Sequence, residues 1–111
     1  MTGVTIDPTT FAELQATAGA DFVAELVDTF AEEAPQILSE LRSAHAAASA
    51  ERFRRAAHSL KSNGNTFGAM RLAEMARALE LAGLPDSTAP LDAFAAELER
   101  ALAALKALVR R

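Results

Sequence analysis

Apolar residues recur at helical spacing along most of this chain, and no segment has the alternating pattern of a half-buried strand. The clearest stretch closes the sequence, with apolar positions at Leu91, Phe94, Leu98, Leu102, Leu105 and Leu108. A length of 111 residues is enough for one modest core. We therefore expect an all-α fold with a single domain over residues 1–111, an antiparallel four-helix bundle with a short additional N-terminal helix.

Capping residues and prolines predict the helix boundaries in the first half of the chain. Asp7-Pro8 has the form of an N-cap followed by proline at the first helical position, which opens a short helix before Gly19. Asp21 can cap a longer second helix. Its apolar positions are Phe22, Leu26, Phe30, Ile37, Leu38 and Leu41. Pro35 falls inside this helix, where we expect it to cause a bend.

The second half of the chain predicts three further helices. A third helix starts near Ser49 or Ala50 and should weaken around residues 62–65, because Asn and Gly favour caps and turns. A fourth helix is predicted from about Thr66 to Leu81. Its inward positions are Met70, Leu72, Met75, Ala76 and Leu79. Residues 83–87 form the clearest loop, and the closing helix follows it.

His58 is the most informative residue of the third helix. At about 100° per residue, Phe53 and Leu60 define one apolar face, and His58 lies far round the helix from both. The imidazole should therefore face water. Its neighbours one turn away are basic or carry a hydroxyl group, and no carboxylate lies nearby on the helix; they are Arg54, Arg55, Lys61 and Ser62. Such surroundings suit a side chain that will carry an anion.

Charge and composition argue against several classes of function. A formal net charge of −4 with no Trp or Tyr is unlike a nucleic-acid-binding protein. Without cysteine there is no disulfide or thiol nucleophile, and two histidines alone make a poor metal site. No apolar run approaches the roughly 20 residues of a membrane span. The N-terminus has no basic segment followed by an apolar one, so we expect a cytoplasmic protein.

Four runs of the sequence have the order and spacing of one known family. They are His-Ser-Leu-Lys at 58–61, Phe-Gly-Ala at 67–69, the helical stretch 71–80 and the upstream stretch 30–35. Over nearly its whole length the chain resembles the histidine phosphotransfer (HPt) domains of multistep two-component signalling. The segment from the histidine to the glycine is far more specific than an isolated His-x-x-Lys.

The resemblance implies roles for two side chains of the third helix. In the family, the residue equivalent to His58 accepts a phosphoryl group from an aspartyl phosphate on one receiver domain and passes it to an aspartate on another. Nε2 is the expected attacking atom, because it projects furthest from the backbone, and neutral imidazole is a good nucleophile. Lys61, one turn on, is placed to neutralise phosphate charge.

The resemblance also implies the partners and the cofactor requirement. We expect response-regulator receiver domains and a histidine or hybrid histidine kinase as partners, and no nucleic acid or membrane. Mg²⁺ would come from the receiver, so this chain needs no cofactor or metal of its own. The chain is then a phosphocarrier without ATP binding or autokinase activity, since it has no Gly-rich nucleotide loop. We expect a monomer.

The glycines and one serine near the histidine carry more specific expectations. Gly64 should allow close backbone approach near the site, although an ordinary turn glycine explains it equally well, and Gly68 should lie where the third and fourth helices cross. The common family pattern has Gly just after the lysine, whereas this chain has Ser62. Ser62 can hydrogen-bond a phosphoryl oxygen or tighten the fit to a receiver, so the departure concerns partner choice.

Other polar residues around the site have two interpretations. Arg54 and Arg55 either steer an acidic receiver or keep the helix soluble. Asn65 is also predicted to be a binding residue of the site. His45 is followed by three alanines and has no comparable set of neighbours, so we expect an exposed side chain without a role.

Three other functions would use parts of the same sequence differently. The phosphoacceptor (P1-type) domain of a chemotaxis-like histidine kinase also has a similar site helix, and its Thr-Phe-Gly run resembles residues 66–68; its phosphate comes directly from a kinase domain. A helical adaptor that carries no phosphate would bind its partners unaltered after His58→Gln. A hydrolase or lyase with His58 as general base lacks a partner acid or nucleophile.

Overall fold

The computed structural model describes residues 5–110, and within them every regular element is an α-helix. The five helices are α1 (Pro8–Ala18), α2 (Ala20–Ala46), α3 (Ala50–Phe67), α4 (Met70–Ala82) and α5 (Ala89–Val109). The predicted all-α fold with a short N-terminal helix is confirmed. None of these helices has the length and apolar content needed to cross a membrane.

Helices α2 to α5 form a ring in which each packs on the next along the chain and α5 returns to α2. The connections at 47–49, 68–69 and 83–88 are short, so that successive helices run antiparallel. Helix α1 packs outside this ring against α2 and α3. The core is built from aromatic and aliphatic side chains of all five helices. Its largest fully buried apolar members are Phe53, Phe94, Leu41, Leu60, Leu72, Leu91, Leu105, Val23 and Val27.

The N-termini of α1 and α2 differ in how they are capped. Asp7 caps α1 as predicted, since its carboxylate accepts hydrogen bonds from the backbone N–H and the hydroxyl of Thr10 at 2.9 and 2.6 Å. The prediction that Asp21 caps α2 was wrong. The N-cap is Gly19, two residues earlier, and Asp21 lies in the first turn of the helix, where a carboxylate stabilises the positive end of the helix dipole. Pro35 lies within α2 without dividing it into two helices.

Helix α3 continues through the residues at which we expected it to weaken. Gly64 is buried inside the helix, and a methyl group there would lie 3.1 Å from both Cβ and N of Ala73 on α4. Close packing of the two helices therefore outweighs the poor helix propensity of glycine. The helix ends at Phe67, and Gly68 follows with φ of +81°, a left-handed conformation that favours glycine.

The close backbone approach expected at Gly64 is confirmed, whereas the crossing of α3 and α4 expected at Gly68 was wrong in location. Gly64, not Gly68, lies where α3 and α4 cross. Gly68 instead packs against the start of α1: its carbonyl accepts a hydrogen bond from the N–H of Asp7 at 2.8 Å, and a Cβ would lie 3.0 Å from that of Thr10. This contact fixes the short N-terminal helix against the end of α3.

Two apolar side chains that were expected to face inward are exposed. Met70 is the first residue of α4 and is 43% exposed, because α4 begins four residues later than predicted. Phe22, near the start of α2, is 52% exposed. The remaining inward positions predicted for α4 are buried or packed against the core.

His45 has a structural role, contrary to the expectation of an exposed side chain without one. The side chain is partly buried, and its Nε2 lies 2.8 Å from the carbonyl oxygen of Pro85 in the loop between α4 and α5. Its ring also lies 6.4 Å from that of Phe53 in the core. The contact joins residues 40 positions apart, so no local sequence pattern predicts it.

Candidate functional site

His58 projects from the outer face of α3, midway along the helix. Phe53, Ala57 and Leu60 hold the opposite face in the core, and the His58 side chain is 54% exposed. The outward orientation predicted from the helical period is confirmed. A partner can therefore reach the imidazole without any movement of the bundle.

A carboxylate on the neighbouring helix orients the imidazole. Oε2 of Glu80, near the end of α4, lies 2.9 Å from Nδ1 of His58. An ionised carboxylate only accepts hydrogen bonds, so Nδ1 carries the hydrogen in this contact. In the neutral ring the second nitrogen, Nε2, is then left with its lone pair free. The arrangement produces the tautomer needed for nucleophilic attack by Nε2.

Glu80 also binds Lys61. The Lys61 ammonium lies 2.9 Å from Oε1 of Glu80, and the two side chains are only 25% and 14% exposed. The pKa of the Glu80 carboxyl is lowered from its ordinary value of 4.5, first by the hydrogen bond to Lys61 and then by the one to His58. The carboxylate therefore stays ionised near neutral pH. One acidic side chain holds both residues that the sequence singled out.

A role for Glu80 was not predicted from the sequence, although its spacing along α4 indicates one. Glu80 lies four residues after Ala76 and seven after Ala73, and both alanines are buried. These spacings place Glu80 on the side of α4 that faces the bundle. A carboxylate on an otherwise apolar face needs a partner, and α3 offers two. Only the packing of α4 against α3 identifies which residues those are.

Most of the basic residues around His58 already have acidic partners. Arg52 binds Glu40 on α2 at 2.8 Å, and Arg55 binds Glu51 one turn earlier on α3 at 2.9 Å. Arg54 is exposed and forms no ion pair with any residue in 5–110. The cationic surface expected from the sequence is therefore carried chiefly by Arg54.

A groove between α2 and α3 adjoins His58 on one side. It has a volume of about 390 Å³, and Arg55 and Ser59, which lie beside His58 on α3, contribute to its wall. Its floor includes Ile37 and Ala56, and Glu33 lies at its rim. A partner that covers His58 from this side also covers an apolar strip with charged edges.

The other predicted binding residues lie at varying distances from the imidazole. Ser62 is exposed one turn after His58, and Asn65 is exposed about one turn further on. Gly64 and Gly68 are both buried against other helices. Gly68 is ten residues from His58, about 15 Å along the helix at about 1.5 Å per residue. The structure thus brings Lys61 to His58 through Glu80, and it places Gly68 elsewhere.

Comparison with known proteins agrees with this geometry. The family model of the Hpt domain matches residues 25–107. The chain belongs to the Hpt family. The matched segment includes α3, α4 and nearly all of α2 and α5, and therefore the whole His58–Glu80–Lys61 site. A search of curated protein sequences finds no match.

A solved structure supports the same assignment. The crystal structure of histidine-containing phosphotransfer protein B (HptB) from Pseudomonas aeruginosa PAO1 superposes with a TM-score of 0.76 at 27% sequence identity. The alignment covers 98% of this chain and 94% of that one. The Hpt domain thus functions in histidine phosphotransfer within a phosphorelay, as a carrier rather than a kinase.

Proposed function

We propose that His58 is the phosphoacceptor of this Hpt domain and that Nε2 is the atom phosphorylated. The observation that carries the proposal is the exposed imidazole whose Nδ1 is bound by the Glu80 carboxylate. The other histidine of the chain, His45, is partly buried, with its Nε2 engaged by the Pro85 carbonyl. Of the two imidazoles, His58 is therefore the one with Nε2 available to a partner.

The transfer step follows from this tautomer. The Nε2 lone pair attacks the phosphorus of an aspartyl phosphate on a receiver domain, an Nε2–P bond forms, and the bond from phosphorus to the aspartate oxygen breaks. The electron pair leaves with the aspartate carboxylate. Nδ1 keeps its hydrogen, so the phosphorylated ring is cationic and faces the negative charge of Glu80. Glu80 thus acts as a positioning residue that also stabilises the charge developing on the ring.

Lys61 supplies positive charge beside the incoming group. Its ammonium is held by Glu80 close to the imidazole, and a phosphoryl group adds further anionic oxygens there. An ammonium on a flexible stem can bind more than one acceptor. We assign Lys61 to neutralising phosphoryl oxygens while it remains tethered near the site by Glu80.

The receiver docks, in this proposal, on the surface around His58 and the adjoining groove between α2 and α3. The aspartate of the receiver must come within bonding distance of Nε2, so a receiver docked over the groove also covers Arg55 and Ser59, which line it beside His58. The apolar floor of the groove provides central contact, and the charged edges surround it. The contact should be modest in area, because the phosphorylated and unphosphorylated partners must separate after each transfer.

The remaining requirements of the reaction are assigned to other proteins. Mg²⁺ and the acidic pocket that binds it belong to the receiver, and a histidine or hybrid histidine kinase supplies the phosphate to the relay. We place these reactions in the cytoplasm. The proposal gives the Hpt domain neither ATP binding nor autokinase activity.

Intact-protein mass spectrometry tests the proposal. The Hpt domain is mixed with purified receiver domains that have been charged by a small-molecule phosphodonor, and His58→Gln and His45→Gln are treated in parallel. We expect one phosphoryl group on the wild-type chain and on His45→Gln, and none on His58→Gln. The adduct should be labile in acid and stable in alkali. His45→Gln is the matched control, since it removes the other imidazole.

Other outcomes distinguish the alternatives. Phosphate on His58→Gln would overturn the assignment of the acceptor. Labelling by a histidine-kinase catalytic domain but by no receiver would identify a P1-type phosphoacceptor of a chemotaxis-like kinase. No labelling by either, with His58→Gln binding receivers as tightly as the wild-type chain does, would identify an adaptor.

A further inference from the structure

Two of the large exposed apolar side chains lie on one line along α4. Met70 is 43% exposed and Leu81 is 69% exposed. They are eleven residues apart, so at about 100° per residue they differ by only about 20° around the helix axis. At about 1.5 Å per residue they are separated by about 16 Å along it. Both belong to a surface that the bundle leaves uncovered.

Two opposite charges lie between them on the same line. Glu74 and Arg77 are exposed on α4, and neither forms an ion pair with any residue in 5–110. We call these four residues, Met70, Glu74, Arg77 and Leu81, the α4 stripe. A groove of about 430 Å³ between α3 and α4 borders the stripe, and Met70, Glu74 and Arg77 help to line it.

The stripe is complementary to itself in the antiparallel direction. The centre of the stripe lies midway along α4, at the level of Met75 and Ala76. A rotation of 180° about an axis that is perpendicular to α4 at this level puts Met70 opposite Leu81 of a second copy. The same rotation puts Glu74 opposite Arg77 of that copy. A two-fold interface requires such self-complementarity.

We propose that the α4 stripe is a self-association surface, at which two copies of this chain pair antiparallel through α4. Each dimer would contain two Met70–Leu81 contacts and two Glu74–Arg77 ion pairs. In the antiparallel pairing, each charge at the centre of the stripe meets the opposite charge of the second copy.

The size of this surface limits the strength of the dimer. Helix α4 has 13 residues, about 20 Å of helix, so the pairing buries less than the roughly 1,200 Å² of a standard interface. We therefore expect a weak dimer that forms at high concentration. A chain that is monomeric when dilute, as expected from the sequence, is compatible with it.

Sedimentation equilibrium tests the proposal. We expect the average mass of the full chain to rise from 11.7 kDa towards twice that value between about 10 μM and about 1 mM. Leu81→Glu should prevent the rise. Phe22→Glu is the matched control, since it places the same charge at another exposed apolar position, on α2, and should leave the rise unchanged. Circular dichroism would verify that each variant keeps its helices.

Charge reversal tests the antiparallel arrangement itself. Glu74→Arg makes the centre of the stripe wholly positive, and Arg77→Glu makes it wholly negative, so each should weaken self-association at least about tenfold. A mixture of these two variants should associate, and the double variant should recover the wild-type behaviour. A mass of 11.7 kDa at about 1 mM would overturn the proposal and leave the stripe to a different protein or to solvent. Self-association that neither charge reversal weakens would also overturn it.

Discussion

The carboxylate of Glu80 is shared by two side chains with different proposed tasks. One oxygen binds Nδ1 of His58, and the other binds the ammonium of Lys61. The first contact sets the tautomer and the direction of the ring, and the second keeps positive charge beside it. A single substitution at position 80 therefore affects both the orientation of the imidazole and the charge beside it. Different replacement side chains distinguish the two effects.

Replacement of Glu80 should slow phosphorylation of His58 to a degree that depends on the new side chain. Glu80→Gln keeps an oxygen that can accept from Nδ1 but removes the negative charge opposite the cationic ring, and we expect a loss of about tenfold. Glu80→Ala removes both and should cost at least about a hundredfold. Single-turnover transfer from a phosphorylated receiver gives the rates. Glu99→Gln, an exposed change on α5, should transfer at the wild-type rate. Equal rates for all three variants would leave Glu80 without a role in transfer.

The Glu80 ion pairs also predict the sign of a pH effect on stability. The folded chain lowers the pKa of the Glu80 carboxyl below 4.5, so the unfolded chain binds that proton more readily. The stabilisation is present above pH 4.5 and is lost as the pH falls through the lowered pKa. Urea unfolding between about pH 7 and about pH 3 should show a weaker pH dependence for Glu80→Gln than for the wild-type chain.

Asp7 and Glu40 also contribute to this acid-range dependence. Hydrogen bonds from Thr10 lower the pKa of Asp7, and the hydrogen bond from Arg52 lowers that of Glu40. The slope should therefore shrink in Glu80→Gln without vanishing. An unchanged slope would show that the contacts of Glu80 are not maintained in solution.

Which site residues could be predicted from sequence depended on the distance between them along the chain. His58 and Lys61 share one helix, and the helical period alone is enough to place one outward and the other one turn away. Glu80 lies 22 residues from His58, so only the packing of α4 on α3 brings them together. The same is true of His45 and Pro85. Local spacing predicts which face of a helix a side chain occupies, whereas tertiary packing determines which residues it contacts.

In α3, a packing contact between helices outweighs the local preference of the sequence for a helix end. Ser-Asn-Gly-Asn at 62–65 is typical of a helix end, yet the helix runs on to Phe67. Gly64 permits α4 to approach until Ala73 would touch a side chain there. The same close approach brings Glu80 within hydrogen-bonding distance of His58. The glycine is thus a structural requirement of the site, although it does not contact the imidazole.

Gly64→Ala should destabilise the bundle despite the better helix propensity of alanine. The added methyl group would lie 3.1 Å from the backbone N of Ala73 and 3.2 Å from the carbonyl oxygen of Ala69. Neither atom can move without a shift of α4, which costs about 1–3 kcal/mol against a gain of up to about 1 kcal/mol in propensity. We expect a net loss of about 1 kcal/mol in urea unfolding. Ser62→Ala, an exposed change two residues away, should be neutral or stabilising, and equal effects would contradict a packing role for Gly64.

At the scale of the whole molecule, the charge near His58 differs in sign from the net charge. The chain carries −4 overall, while Arg54, which forms no ion pair within residues 5–110, presents a positive charge one turn before His58. Such a local charge can accelerate the encounter with an acidic partner at low salt. Whether Arg54 steers a receiver or keeps the helix soluble was open from the sequence, and the two functions differ in what salt does to the rate.

Arg54→Ala should lower the association rate with a receiver by about twofold to tenfold at low ionic strength. The effect should disappear as salt shortens the screening length to about 3 Å near 1 M. Stopped-flow measurements over a salt series test this. Lys106→Ala removes one charge of the same sign from the last turn of α5 and should leave the rate nearly unchanged. Equal effects of the two changes would assign Arg54 to solubility.

The overall bundle was predictable because each helix carries its own apolar period, and short connections leave few ways to pack four helices. Less predictable were the contacts made after the helices had packed, such as Gly68 against α1. The exposed Met70 and Leu81 belong to the same class. Their exposure becomes known only when the packing of α4 on its neighbours is known.

The most direct test of the site is to locate the phosphate on the protein by NMR of the ¹⁵N-labelled histidine rings. The chain has two histidines, so the ring signals of each can be assigned with His45→Gln. After transfer from a phosphorylated receiver, we predict phosphorus bonded to Nε2 of His58, with Nδ1 still protonated against Glu80. Phosphate on Nδ1 of His58, or on His45, would contradict the geometry on which the proposed transfer depends.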